Sequence, residues 1–154
     1  LKRISSMNRN QKRSLYTLLI WSVVAIVFIP LFFISGGAET WGADKIRFIV
    51  STSFLFAGYA AFFTMMALTR RKKTDDIERD ERDILISRKA SEISLIIVMA
   101  YIFFACITLY TFYENTNSVP RGWMWFLAYT CIFTVYISNS AINLILYKSK
   151  ADIQ

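Results

Sequence analysis

Side chains able to do chemistry are few here and unevenly placed. The 154 residues contain no His and two Cys, Cys106 and Cys131. Seven of the eleven acidic residues crowd between Asp75 and Glu92, in the stretch TDDIERDERDILISRKASE. Asp76, Asp80 and Asp83 carry the hard oxygen ligands a divalent cation takes. However, Arg79 and Arg82 already neutralise the cluster, and no EF-hand-like loop accompanies it, so no metal site is expected. Hydrolysis or group transfer needs a nucleophile with its base, a metal, or paired carboxylates in a cleft. None is legible, so no catalytic residue and no cofactor is assigned, and the chain is not expected to be an enzyme. The other polar concentration is Ser138, Asn139, Ser140 and Asn143, inside an otherwise apolar run. Asn139 and Asn143 share a helical face and are expected to hydrogen-bond between helices; the alternative is a small polar pocket.

The elements that must position these groups follow from the apolar blocks. A helix crossing a bilayer needs about 20 mostly apolar residues, since the hydrocarbon core is about 30 Å thick and each residue rises about 1.5 Å. Residues 15–34, 48–68 (within a helix from about 46), 93–113 and 123–147 meet this, and none of the four holds Lys, Arg, Asp or Glu. Backbone groups in lipid must be satisfied within the segment, so these runs read as helices. The expected fold is all-α: a single membrane domain over 1–154, a four-helix transmembrane bundle whose third helix extends beyond the bilayer. Met7 opens a plausible start, MNRNQKRS. The first span is too long for a removable signal peptide and lacks its small-residue cleavage pattern, so it reads as a retained anchor.

Orientation follows from the basic residues. Lys2, Arg3, Arg9, Lys12, Arg13, the eight basic residues from Arg70 to Lys89, and Lys148 and Lys150 fall on one side; Lys45, Arg47 and Arg121 fall on the other. The positive-inside rule places both termini and the 70–92 segment in the cytoplasm, so a cytoplasmic membrane is the expected location. Arg70, Arg71, Lys72 and Lys73, directly after the second span, are expected to meet anionic lipid headgroups. The net charge of +7 has its explanation there, and nucleic acid is not expected as a partner.

Between Thr74 and the third span there is neither Gly nor Pro. Asp75 and Glu78 have capping-box spacing, and Asp75–Arg79 and Glu78–Arg82 are i, i+4 pairs in the favourable order. One helix from about 75 to 113 is expected, with Ile86, Ala90, Ile93 and Ile97 on one face. Its charged part reads either as a solvated extension or as a docking surface. Ile77, Ile84 and Leu85 are apolar anchors among Arg79, Asp80, Glu81, Arg82 and Lys89, the pattern a helix uses in a partner's groove.

Asp80, Glu81, Arg82, Ile86, Lys89 and Ala90 form a D-E-R-x-x-x-I-x-x-K-A pattern just before the third span. It resembles the signature of a family of small prokaryotic predicted membrane proteins with four spans and no characterised activity. Members are similar to small membrane proteins encoded beside helix-turn-helix regulators, which implies a cytoplasmic regulatory partner.

Within the spans, Ser53, Ala57 and Ala61 recur every four residues as a smooth strip for helix packing, in the bundle or in a homodimer. Pro30 is expected to loosen the end of the first helix. Cys106 and Cys131 read as small apolar residues at similar depth, not as a disulfide. A proton- or cation-coupled transporter normally carries an intramembrane carboxylate, and the spans have none. The expected role is therefore a non-catalytic interaction protein that docks a cytoplasmic partner on 75–92; the alternative is an oligomeric small-solute or ion pore.

Overall fold

The computed structural model describes residues 9–34, 36–41, 45–69, 81–116 and 118–151. Every regular element among them is a helix: α1 Arg9–Ile34, α2 Gly37–Thr40, α3 Lys45–Leu68, α4 Glu81–Tyr113 and α5 Arg121–Ala151. All but α2 are long and apolar enough to cross a membrane. The fold is thus the expected all-α four-helix bundle. At about 1.5 Å per residue, the 33 residues of α4 span about 50 Å, well beyond a hydrocarbon core of about 30 Å. α1 also starts before its apolar run, carrying Arg9, Lys12 and Arg13 in helical backbone, and continues through Pro30 to Ile34.

Extensive contacts join α3 to α1, α1 to α5, and α5 to α4. The long helices therefore stand in the spatial order α3, α1, α5, α4, with α1 and α5 in the middle. One face of α1 supplies the core: Trp21, Val24, Ala25, Phe28 and Phe32 are all buried. Trp21 stacks on Tyr136 of α5 at 4.6 Å and meets the edge of Tyr59 of α3 at 4.9 Å. Phe28 packs edge-on against Tyr129 at 4.8 Å, and Phe32 lies 4.6 Å from Phe126. Such pairs each contribute about 0.5–1.5 kcal/mol beyond area burial. Ile26, Phe56 and Phe104 are two-thirds exposed, as residues facing lipid should be.

The turn from α1 into α2 requires glycine. Gly36 and Gly37 have φ of 90° and 66°, a left-handed backbone that costs a residue with a Cβ. Gly122 opens α5 for a different reason. A Cβ there would collide with the Ala38 backbone and come within 2.7 Å of the Trp41 Cβ, so its missing side chain lets the α2 turn sit directly on α5.

Within the chain, α3 does not pack through the Ser53, Ala57 and Ala61 strip. Ser53, Ala57 and Ala61 are exposed and turned away from α1. Ser51, Leu55, Gly58 and Phe62 form the buried face, because Leu55 and Phe62 reach the aromatic core and Gly58 allows the close approach. A Cβ on Gly58 would lie 2.8 Å from a Val24 methyl.

Overpacking a tight interface costs about 1–3 kcal/mol. Gly58→Val and Gly122→Val should therefore lower the thermal midpoint of the detergent-solubilised protein, whereas Ala57→Val and Ala61→Val leave it in place. A shift at Ala57→Val and Ala61→Val with none at Gly58→Val would mean that α3 packs through the other face.

Candidate functional site

Polar residues of the described helices converge at the end of the bundle where α1 begins and α5 ends. On α1 the core face continues below Trp21 as Thr17, Ser14, Arg13 and Asn10, one or two per turn. On α5 it continues below Tyr136 as Asn139, Ser140, Asn143 and Tyr147. α4 brings Asp83, Ser87 and Ser91, and the last turns of α3 bring Phe62 and Met66. Together they line a cleft of about 540 Å³, within the size range of small-molecule sites.

Asp83 ties its rim together. One carboxylate oxygen accepts from Asn10 Nδ2 at 2.6 Å and the other from the Tyr147 hydroxyl at 2.8 Å. Three helices are thus clasped through one acid: the start of α1, the lower part of α4 and the last turns of α5. Hydrogen bonds to a charged acceptor contribute more than neutral ones, about 1.5–3 kcal/mol each. The clasp is the first of four polar rungs between α4 and α5. Ser94 and Ser138 share a hydrogen bond at 2.6 Å, Tyr101 bonds Thr130, and Trp123 Nε1 donates to the Tyr113 hydroxyl at 2.8 Å.

Among the described residues, Asn139 and Asn143 do not make the cross-helix bond expected of them. Asn143 Nδ2 donates along α5, to the Asn139 carbonyl at 3.0 Å and to its Oδ1 at 3.2 Å. The interhelical role falls to Ser138 instead, and both Asn residues line the cleft.

On α4, Ile86 and Ala90 are buried, on the face that bears Asp83 and Ser94. Ile93 is half-buried, and Ile97 turns partly outward. Ile84 and Leu85 are 48% and 60% exposed, and Lys89 is exposed beside an Arg88–Glu92 ion pair at 3.1 Å. Glu81 and Arg82 lie on the same helix. Ile77, Arg79 and Asp80, the headgroup cluster Arg70, Arg71, Lys72 and Lys73, and the Asp75–Glu78 capping pair lie outside the described residues. Among the described residues no group of acidic or Cys side chains could hold a metal. Cys106 and Cys131 are free thiols.

Asn10, Ser14, Thr17 and the clasp role of Asp83 and Tyr147 were not anticipated from sequence. Their signal is the helical period itself: polar residues continue the core face of α1 past its apolar end.

The model of the family described as predicted membrane protein (DUF2178) matches residues 12–150. The chain belongs to this family. Nothing matches it among curated proteins or solved structures. Membership, together with the four candidate spans, makes it an integral membrane protein. Within the matched region fall all four long apolar runs, the cleft apart from Asn10, and the buried pair Ile86 and Ala90.

Removing one donor from the clasp should cost about 1–2 kcal/mol. Tyr147→Phe is expected to lower stability by that amount in SDS unfolding of the purified protein. In an Asp83→Ala background the same change should cost almost nothing. An undiminished cost there would show that Tyr147 stabilises through packing, not through the acid.

Proposed function

We propose that this protein is a non-catalytic component of the cytoplasmic membrane, with both ends in the cytoplasm, that presents the membrane-proximal part of α4 to a cytoplasmic regulatory protein. The observation that carries the proposal is the division of labour around that helix. Ile86 and Ala90 seat one face on the bundle at 2% and 0% exposure, while Leu85 stays 60% exposed and Ile84 is half-exposed at the edge of the cleft. Lipid does not account for this exposure. α4 outlasts the hydrocarbon core by about 13 residues at 1.5 Å each, and Asp83, Arg88, Lys89 and Glu92 share that portion.

The partner fitting such a face has an apolar groove rimmed by charges of both signs, the helix-in-groove mode of recognition. Arg79, Asp80, Glu81 and Arg82 extend the same charge pattern in sequence. The clasp at Asp83 supports the proposal further, since a helix held at its projecting end offers its anchors without first paying the entropy of ordering. A pore through one chain is disfavoured. Trp21, Phe28, Phe32, Phe62 and Phe133 fill the centre of the bundle, so conduction would require several copies around a shared axis.

Two measurements test this. In a variant lacking Cys106 and Cys131, a Cys introduced at Ser87 should react with an impermeant maleimide only in inside-out vesicles; labelling from the outer face would reverse the orientation. A photo-crosslinker at Leu85 should capture one discrete cytoplasmic protein in cells, whereas one at Phe104, on the lipid-facing surface, should not. Glu81→Lys with Arg82→Glu should abolish that adduct at unchanged membrane abundance. No adduct at Leu85, or one indifferent to charge reversal, removes the docking role.

A further inference from the structure

The charged side chains lining the cleft are not all partnered. Asp83 is engaged by Asn10 and Tyr147, and Arg88 by Glu92. Arg13 is left over. Its guanidinium is permanently protonated, yet its Nε is buried without a hydrogen-bond partner, and among the described residues no ion pair joins it to Asp83 across the cleft. A buried donor left unmade is costly, and more so on a charged group. Such a donor beside an open polar cavity points to an anion that completes it.

We propose that the cleft binds a phosphate-bearing anion, with Arg13 as its cation. Three features select phosphate. A guanidinium fork matches phosphate oxygens bidentately. Ser87, Ser91 and Asn139 line the same cavity and offer hydroxyl and amide donors to the oxygens that the fork does not take, with Asn143 fixing the Asn139 amide through its Oδ1. The depth is also appropriate: Arg13 stands two residues before the apolar run of α1, at the level where a bilayer's phosphates lie. Phe62, Met66 and Tyr136 form the apolar part of the lining, which suits the carbon frame carrying the phosphate. That chemistry is shared by an anionic phospholipid headgroup and by a soluble phosphomonoester. The proposal holds whether or not α4 also carries a protein partner.

The test uses the purified full chain in detergent, with native mass spectrometry for retained lipid and thermal shift for soluble ligands. The lipid probes are phosphatidylglycerol and a diacylglycerol with the same acyl chains; the soluble probes are glycerol 3-phosphate and inorganic phosphate. Wild type should retain one phosphatidylglycerol in preference to diacylglycerol, or be stabilised by glycerol 3-phosphate. The first result identifies a lipid headgroup as the source and the second a soluble one. Arg13→Gln should weaken the successful probe by about tenfold or more. Arg13→Lys should restore part of it, and Lys12→Gln, which makes the same change in charge outside the cleft, should bind as wild type. Asn143→Leu provides a second route if Arg13→Gln does not fold, and should also weaken binding. Equal retention of diacylglycerol, no binding by any probe, or wild-type binding by both Arg13→Gln and Asn143→Leu would overturn the proposal.

Discussion

Lipid offers helices no hydrophobic drive to associate, because acyl chains are as apolar as the side chains they would replace. Every helix contact in this protein must therefore be won by close packing, ring geometry or a hydrogen bond. The contact between α1 and α5 meets that requirement with aromatic rings. Trp21 lies flat on Tyr136, and Phe28 and Phe32 interlock with Tyr129, Phe133 and Phe126. The rest of the architecture depends on this central pair, since α3 leans chiefly on α1 and α4 chiefly on α5. Loss of the α1–α5 interface would leave two separate hairpins.

The outer pairs solve the same problem by different means. α3 approaches α1 through the absence of a side chain at Gly58, which exchanges volume for proximity. α4 is fastened to α5 by polar rungs, from Asp83–Tyr147 at one end to Tyr113–Trp123 at the other. Rungs at several depths fix register as well as distance, because a slide of one turn would unmake them all together. They also fix rotation. With Asp83, Ser94 and Tyr101 held to α5, α4 keeps Leu85 turned outward.

The spans were legible in the sequence because charge is so costly in hydrocarbon that its absence marks each apolar run. Helix ends were less legible, since a helix need not stop where lipid does; α1 begins at Arg9 and α5 reaches Ala151. The face that α3 turns to α1 was not legible, for a physical reason. Small residues permit close approach but do not compel it, and Leu55 and Phe62, with rings of α1 and α5 to meet, decided the rotation instead. Asn139 and Asn143 at i, i+4 can bond across helices or along their own, and spacing does not distinguish the two. The cleft was visible only as an alternative, because its lining comes from four helices and no single segment contains enough of it.

Aromatic rings in the middle of the bundle and a polar clasp at its end follow from one gradient. Deep in hydrocarbon an acid such as Asp83 would face a desolvation penalty that two neutral donors do not offset. Rings face no such penalty, so they hold the centre. Toward the end where α1 begins and α5 ends, water and headgroups screen charge, and the balance reverses: the Asp83 carboxyl can be shared between Asn10 and Tyr147. The same gradient explains why a cavity persists there. A space walled by hydroxyls, amides and Arg13 gains more from a polar occupant than from collapse. The cleft therefore lies at a depth where the chain can hold an open polar volume without losing its own cohesion.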